Sequence, residues 1–211
     1  MSGIHKIYPG WQTWGVTLAG QFYWPLRREL LMLGGGGVAS RRNLKWILGQ
    51  KEKGQAVAIV VGGINEAVAT HPGKYHLKLK ERKGFIRMAI TEGADLVPMF
   101  HFGENEAYRP VEGICPERLR NMQAHLMNRF GFTPPLFMGK SLLGLPWGGL
   151  VPLQVRLESV IGGAIRVEKH ANPTDDEVDR LHAAYCEKLI YLFETHKAKY
   201  GIRPEQRIIL Y

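Results

Sequence analysis

The spacing of apolar and polar positions changes period several times along the chain, and each change predicts an element. Residues 41–53, RRNLKWILGQKEK, repeat at helical spacing, with Leu44, Ile47 and Leu48 on one face. Ser40 stands where an N-cap belongs, and Gly54 is placed to end the helix. AVAIVV follows as a continuous apolar run, the pattern of a strand buried on both faces. YHLKLK then alternates, with Leu77 and Leu79 to one side and Lys78 and Lys80 to the other. A helix from Gly84 to Glu92, closed by Gly93, leads to a second apolar strand in ADLVPMF. VRLESVIGGAIRVEK reads as two further strands around Gly162-Gly163. Thr174 and Glu177 are spaced as a capping box for a long helix that turns Val178, Leu181, Tyr185, Leu189 and Leu192 inward and stops near Gly201. His182 and His196 read as surface or boundary positions on it.

Helices alternating with apolar strands predict an α/β fold: a largely parallel central sheet flanked by helices, with a C-terminal packing helix, in a single domain over residues 1–211. Sites in such folds lie at the carboxyl ends of strands. That rule singles out Gly62, Gly63 and Glu66 after one strand, and His101, Phe102, Gly103 and Glu104 after the next, on two loops that could face each other across a cleft.

Charge refines this picture. The formal net charge of +9 calls for anionic partners, and residues 74–87 concentrate it, with Lys74, Lys78, Lys80, Arg82, Lys83 and Arg87 against Glu81 alone. Nucleic acid is disfavoured, because only Tyr75 and Phe85 stand near those charges and single-strand binders interleave aromatics for stacking. Residues 8–26 contain no charged side chain but crowd Trp11, Trp14, Phe22, Tyr23 and Trp24. Such a segment suits either a membrane interface or a buried aromatic cluster, and residues 141–153 pose the same alternative.

Other chemistries fall away on spacing. Gly139-Lys140-Ser141 is no phosphate loop, because the first glycine that motif requires is Pro134. Ser141 is followed by Leu142 and Leu143, so it is no nucleophile elbow. Cys115 and Cys186, far apart and in no C-x-x-C arrangement, allow neither a disulfide framework nor a zinc site of the usual spacing to be read, which suits a reducing compartment, and no metal is indicated. His71, followed by Pro72-Gly73, sits in ordinary turn chemistry.

One combination is specific: an apolar strand ending VGG, Glu66 three residues on, then RKGF opening a helix that ends before GADLVP. Together with IYPG, PLRRELLMLGG, FGENEAY, NPTDDEV and LFETHKAKYG in the same order, it resembles the diacylglycerol acyltransferase type 2 family over nearly all of the chain. The resemblance implies transfer of a fatty acyl group from acyl-CoA, a co-substrate, to a mono- or diacylglycerol hydroxyl in triacylglycerol synthesis. No other cofactor is implied. It also implies membrane lipid as a partner, a place on the cytosolic face of the endoplasmic reticulum membrane, and admits a homo-oligomer. The identity of the acceptor and the acyl-chain preference are not implied.

By the same resemblance, Gly62 and Gly63 match a glycine turn that lets backbone amides approach substrate oxygen or phosphate. Glu66 matches an acidic position that orders a catalytic histidine or contacts the acceptor, the alternative being a helix-start carboxylate. Arg82, Lys83 and Gly84 match the stretch suited to coenzyme A phosphates, the alternative being a solvated face. The family's base belongs to a His-Pro-His-Gly motif that this chain does not contain. In the family that motif precedes the IYPG-like stretch, whereas His71 lies between VGGINEA and RKGF, the wrong place for it. The expectation is therefore the C-terminal portion of a longer enzyme, or alternatively a non-catalytic lipid-binding form.

Overall fold

The computed structural model describes residues 4–50, 54–62, 73, 75–107, 109–110, 137–138 and 153–211. The chain forms two compact units: Met1–Val61 with Gly84–Asp95 and Arg166–Val178, and Gly62–Lys83 with Leu96–Ile165 and Asp179–Tyr211.

In the first unit a short helix, α1 (Ile4–Ile7), precedes a parallel sheet of β1 (Gln12–Thr17), β2 (Gly36–Val38) and β3 (Gln55–Ile59), in the order β2-β1-β3. Parallel neighbours require a crossover. α2 (Arg27–Leu33) supplies one between β1 and β2, and α3 (Arg41–Leu48) supplies the other. The approach of α2 to β2 depends on Gly36, where a Cβ would stand 2.6 Å from the Leu31 carbonyl oxygen. The Ser40 side chain accepts from the Asn43 amide at 3.2 Å, which caps α3 as its sequence predicts. Leu44 and Ile47 of that helix cluster with Val16, and Trp14, Val57 and Met88 pack against them.

Two expectations change here. α3 ends at Gly49, whose amide bonds the Lys45 carbonyl at 2.9 Å, and not at Gly54. β3 is not buried on both faces: Ile59 is exposed, Val60 is 77% exposed, and among the described residues the strand has one sheet neighbour. Apolar content in AVAIVV did not distinguish an edge from a centre.

α4 (Gly84–Glu92) buries Ile86, Ala89 and Ile90, one stripe of a helix, and Gly93 follows with φ +69°. Thr174 and Glu177 form the predicted capping box: the Thr174 amide donates to Glu177 at 2.7 Å, and the Glu177 amide donates back to Thr174 Oγ1 at 3.3 Å.

In the second unit β4 (Tyr75–Leu77) runs parallel to the C-terminal strand, and β5 (Met99–Phe102) pairs antiparallel with β8 (Glu158–Ile161). A further antiparallel pair joins β6 (Arg109–Pro110) to β7 (Phe137–Met138). α5 (Asp175–His196) contributes residues 179–196 here, and β9 (Ile208–Leu210) is the partner of β4. Gly103 ends β5 with φ +88°, at a point where a Cβ would run into the Arg156 carbonyl. The core is aromatic: Phe102 and Phe193 stack at 5.9 Å, Phe102 and Tyr200 at 4.1 Å, and Tyr75 meets Phe193 at 4.9 Å.

Helices and small sheets thus mix as an α/β reading requires, but the expected large parallel central sheet is not formed among the described residues. The parallel sheet has three strands among the described residues, and β5, expected to belong to a parallel sheet, instead joins β8 in a two-stranded antiparallel pair. An apolar run specifies a strand without specifying the direction of its partner. The second strand expected after Gly162-Gly163 is reduced to an isolated bridge between Ile165 and Leu96.

Candidate functional site

Alternation in YHLKLK does more than form a strand. Leu77 packs against the aromatic core and Leu79 is 1% exposed, so Lys80 is turned out to water. Immediately beyond, the chain folds into a tight turn: the Lys80 amide bonds the Tyr211 carbonyl at 3.3 Å, Arg82 that of Leu79 at 2.9 Å, and Lys83 that of Glu81 at 3.1 Å. These amides already have partners. The turn therefore offers an anion its side chains rather than a backbone nest.

Lys80, Arg82 and Lys83 are all exposed. Lys83 bonds Asp179 of α5 at 2.6 Å, while among the described residues Lys80 and Arg82 have no carboxylate partner. Both ends of the Lys83 pair are about half exposed, so it holds the turn by roughly 1 kcal/mol or less. Two cations without a carboxylate partner among the described residues, one of them a planar guanidinium, suit a phosphate or pyrophosphate group.

A second device supports the turn from α5. His182 is 7% exposed, and its Nε2–H donates to the Leu79 carbonyl at 3.0 Å. The expectation of a surface or boundary residue is corrected here, although His196 does lie at the boundary. The signal was present in the sequence: His182 sits four residues after Val178 and three before Tyr185, on the apolar stripe itself. Its ring nitrogens lie 3.8 and 3.9 Å from Cys186 Sγ, but burial pushes that thiol up, away from the thiolate a nucleophile needs.

The predicted site residues divide between the two units. Gly62 is buried in the second unit, and Gly84 opens α4 of the first, exposed, with open space where a Cβ would stand. Gly63, Glu66 and His71 lie outside the described residues. Gly73, which follows His71-Pro72, has φ +75° and accepts from Gln206 Nε2 at 2.8 Å, as a turn glycine does.

His101, expected on a loop, belongs to β5, where its Nδ1 lies 2.7 Å from Ser159 Oγ on the opposed strand. Among the described residues no carboxylate is bonded to His101, so the pair lacks the third group that orients a catalytic imidazole. Glu158, beside Ser159, accepts from Tyr200 Oη at 2.8 Å; that bond, with Arg156 and Lys199 nearby, holds its carboxyl below the usual range. It ties β8 to the helical turn after α5 and has the geometry of a structural acid. Among the described residues no group of three or more His, Cys, Asp or Glu side chains could hold a metal ion.

Comparison with known proteins adds what the geometry does not carry. The profile of a family described as diacylglycerol acyltransferase matches residues 1–211. The chain is 39% identical to diacylglycerol O-acyltransferase 2 of Mus musculus over 206 residues, 98% of this chain and 53% of that protein. It is 38% identical to 2-acylglycerol O-acyltransferase 1 of Bos taurus over 210 residues, 100% of this chain and 62% of the relative. With 2-acylglycerol O-acyltransferase 3 of Homo sapiens it shares 39% identity over 201 residues, 95% of this chain and 59% of the relative. The chain thus spans little more than half the length of the curated relatives it matches. No solved structure matches it.

Proposed function

Starting from the fact that the chain belongs to the diacylglycerol acyltransferase family, we propose that this protein takes part in transfer of a fatty acyl group from acyl-CoA to the hydroxyl of a mono- or diacylglycerol in neutral lipid synthesis at the endoplasmic reticulum membrane. The observation that carries this reading is the family match along residues 1–211. In the reaction the acceptor oxygen bonds the thioester carbonyl carbon, the carbon–sulfur bond breaks, and the hydroxyl proton passes through a base to balance the departing thiolate.

For the acyl donor we assign the turn of Lys80, Arg82 and Lys83. Support comes from the exposure of all three cations and the absence of a carboxylate partner for Lys80 and Arg82 among the described residues. The phosphates of coenzyme A are the group such a turn suits. Gly62 and Gly63 are assigned to backbone approach by the substrate, Gly84 to the same RKG stretch, and Glu66 to ordering the base or the acceptor.

The test is steady-state kinetics of the complete protein with labelled acyl-CoA. Arg82→Glu combined with Lys80→Glu raises KM for acyl-CoA by at least about tenfold, equivalent to about 1.4 kcal/mol, and leaves KM for the acylglycerol near its original value. An unchanged KM for acyl-CoA removes the turn from the donor site.

A further inference from the structure

Residues 18–33 of the first unit place a run of large apolar side chains in water. Tyr23 is 81% exposed, Leu26 74% and Leu33 85%, and Trp24, Leu30 and Met32 are exposed with them. α2 has no buried residue at all, and only Leu31 is even half-buried. Its last turn, Leu30-Leu31-Met32-Leu33, is apolar all round, which suits an apolar surrounding and not solvent.

Its entry is also strained. Leu26 has φ +67°, a conformation that costs a bulky residue on the order of 1–3 kcal/mol, and its exposed side chain gains no packing within the molecule to offset that.

Charge indicates the partner. Among the described residues up to Gln50 the one acid, Glu29, is engaged by Arg28 at 2.6 Å. Lys6, Arg27, Arg41, Arg42 and Lys45 have no carboxylate partner among the described residues. Tryptophan and tyrosine beside aliphatic residues and unpaired cations form the composition of a surface lying at the headgroup level of a bilayer. A protein partner would have to supply both an apolar groove and acids to match. Seven residues of helix extend only about 10 Å, against a hydrocarbon core of about 30 Å, and among the described residues no helix is long and apolar enough to cross a membrane. The segment would lie in the interface plane.

We propose that residues 18–33 dock onto an anionic bilayer surface, with Trp24, Leu30 and Leu33 entering the boundary between headgroups and acyl chains and Arg27 meeting lipid phosphate. The docking rests on the exposed face and not on the acyl-transfer reading.

The test uses the 211-residue chain and vesicles of phosphatidylcholine with or without phosphatidylserine. The chain sediments with the mixed vesicles, more weakly as salt rises. Trp24→Ser with Leu30→Ser and Leu33→Ser lowers partitioning at least about tenfold, a loss on the scale of a few buried methylenes. Arg27→Glu lowers it on mixed vesicles and not on pure phosphatidylcholine. Brominated phosphatidylcholine quenches part of the tryptophan emission of the unaltered chain, and Trp24→Phe removes most of that quenched part, a readout that needs no destabilising variant. Unchanged partitioning of the triple variant with its circular dichroism intact overturns the proposal. So does absence of quenching, and so does a shift from dimer to monomer in the triple variant without lipid, which would assign the face to a second copy. Loss of vesicle binding with acyl transfer retained on detergent-dispersed substrate supports the docking face, whereas failure of the donor site appears in the Arg82 kinetics instead.

Discussion

Phe102, Phe193 and Ile208 of the second unit are buried beneath Tyr75, Phe100 and Tyr200, so that its aromatic side chains mostly find each other. In the first unit the cluster beside the parallel sheet has three buried residues, Val16, Leu44 and Ile47, while Tyr23, Trp24 and Leu33 face outward. The same residue types build a core in one unit and an apolar exterior in the other. What differs is the neighbour supplied: α5 brings Phe193, Leu189 and Tyr185 inward on one long stripe, whereas α2 is short, gathers its apolar residues in one consecutive run after its charged first turn, and buries none of them. Burial also pushes the Tyr185 hydroxyl up to about 12, because its phenolate would be desolvated.

The contrast is broken most directly at Phe193, which is 0% exposed. Phe193→Ala removes the ring shared by Tyr75, Phe100 and Phe102 and costs about 3–5 kcal/mol in urea unfolding. A loss below 1 kcal/mol would mean that the aromatic cluster is not the core of its unit. Ile47→Ala in the smaller cluster is expected to cost about 2–3 kcal/mol by the same measurement, the low end for its type. If it costs more than Phe193→Ala, the comparison is the wrong way round.

Smaller effects sharpen it. Thr174→Ala removes the hydroxyl that accepts from the Glu177 amide and costs about 1 kcal/mol. The cap is also a pH probe. The Glu177 carboxyl is held below its ordinary range chiefly by the Thr174 backbone amide, then by the Thr174 hydroxyl and by His170. Its folded pKa is depressed, so the cap contributes fully above the unfolded carboxylate pKa and is lost as pH falls through the lower folded value. Stability measured against pH should separate Glu177→Gln from the unaltered chain at neutral pH and converge with it in acid; a constant difference would show that ionisation of Glu177 is not what the cap uses. At the bottom of the scale, Leu33→Ser should change stability by no more than about 0.5 kcal/mol, the counterpart of its expected effect on vesicles. A large loss would place Leu33 in a core.

Local rules were legible where they act over a few residues. Ser40 caps α3, Gly93 closes α4, and Thr174 with Glu177 caps α5, because each involves amides one turn away. The stripe Val178, Tyr185, Leu189 and Leu192 is buried as its spacing requires, and the same spacing carried His182, which polarity alone misplaced. In the candidate site the exposed cations Arg82 and Lys83 were legible as charge. The tie from Lys83 to Asp179 and the bond from His182 to the Leu79 carbonyl were not, since they join residues about a hundred positions apart.

Sequence by itself thus determined the helices α3, α4 and α5, the caps at Ser40 and at Thr174 with Glu177, the buried face of α5, the concentration of charge at residues 74–87 and, through ordered motifs, the family. Tertiary structure alone decided that β3 stands at the edge of its sheet among the described residues, that β5 pairs antiparallel with β8, and that the aromatic segment reaching into α2 is left outside. Periodicity records what a residue's own backbone repeats. Partner direction, edge position and the choice between a buried aromatic cluster and an exposed one depend on which distant surfaces arrive, and a strand or helix carries no local record of those.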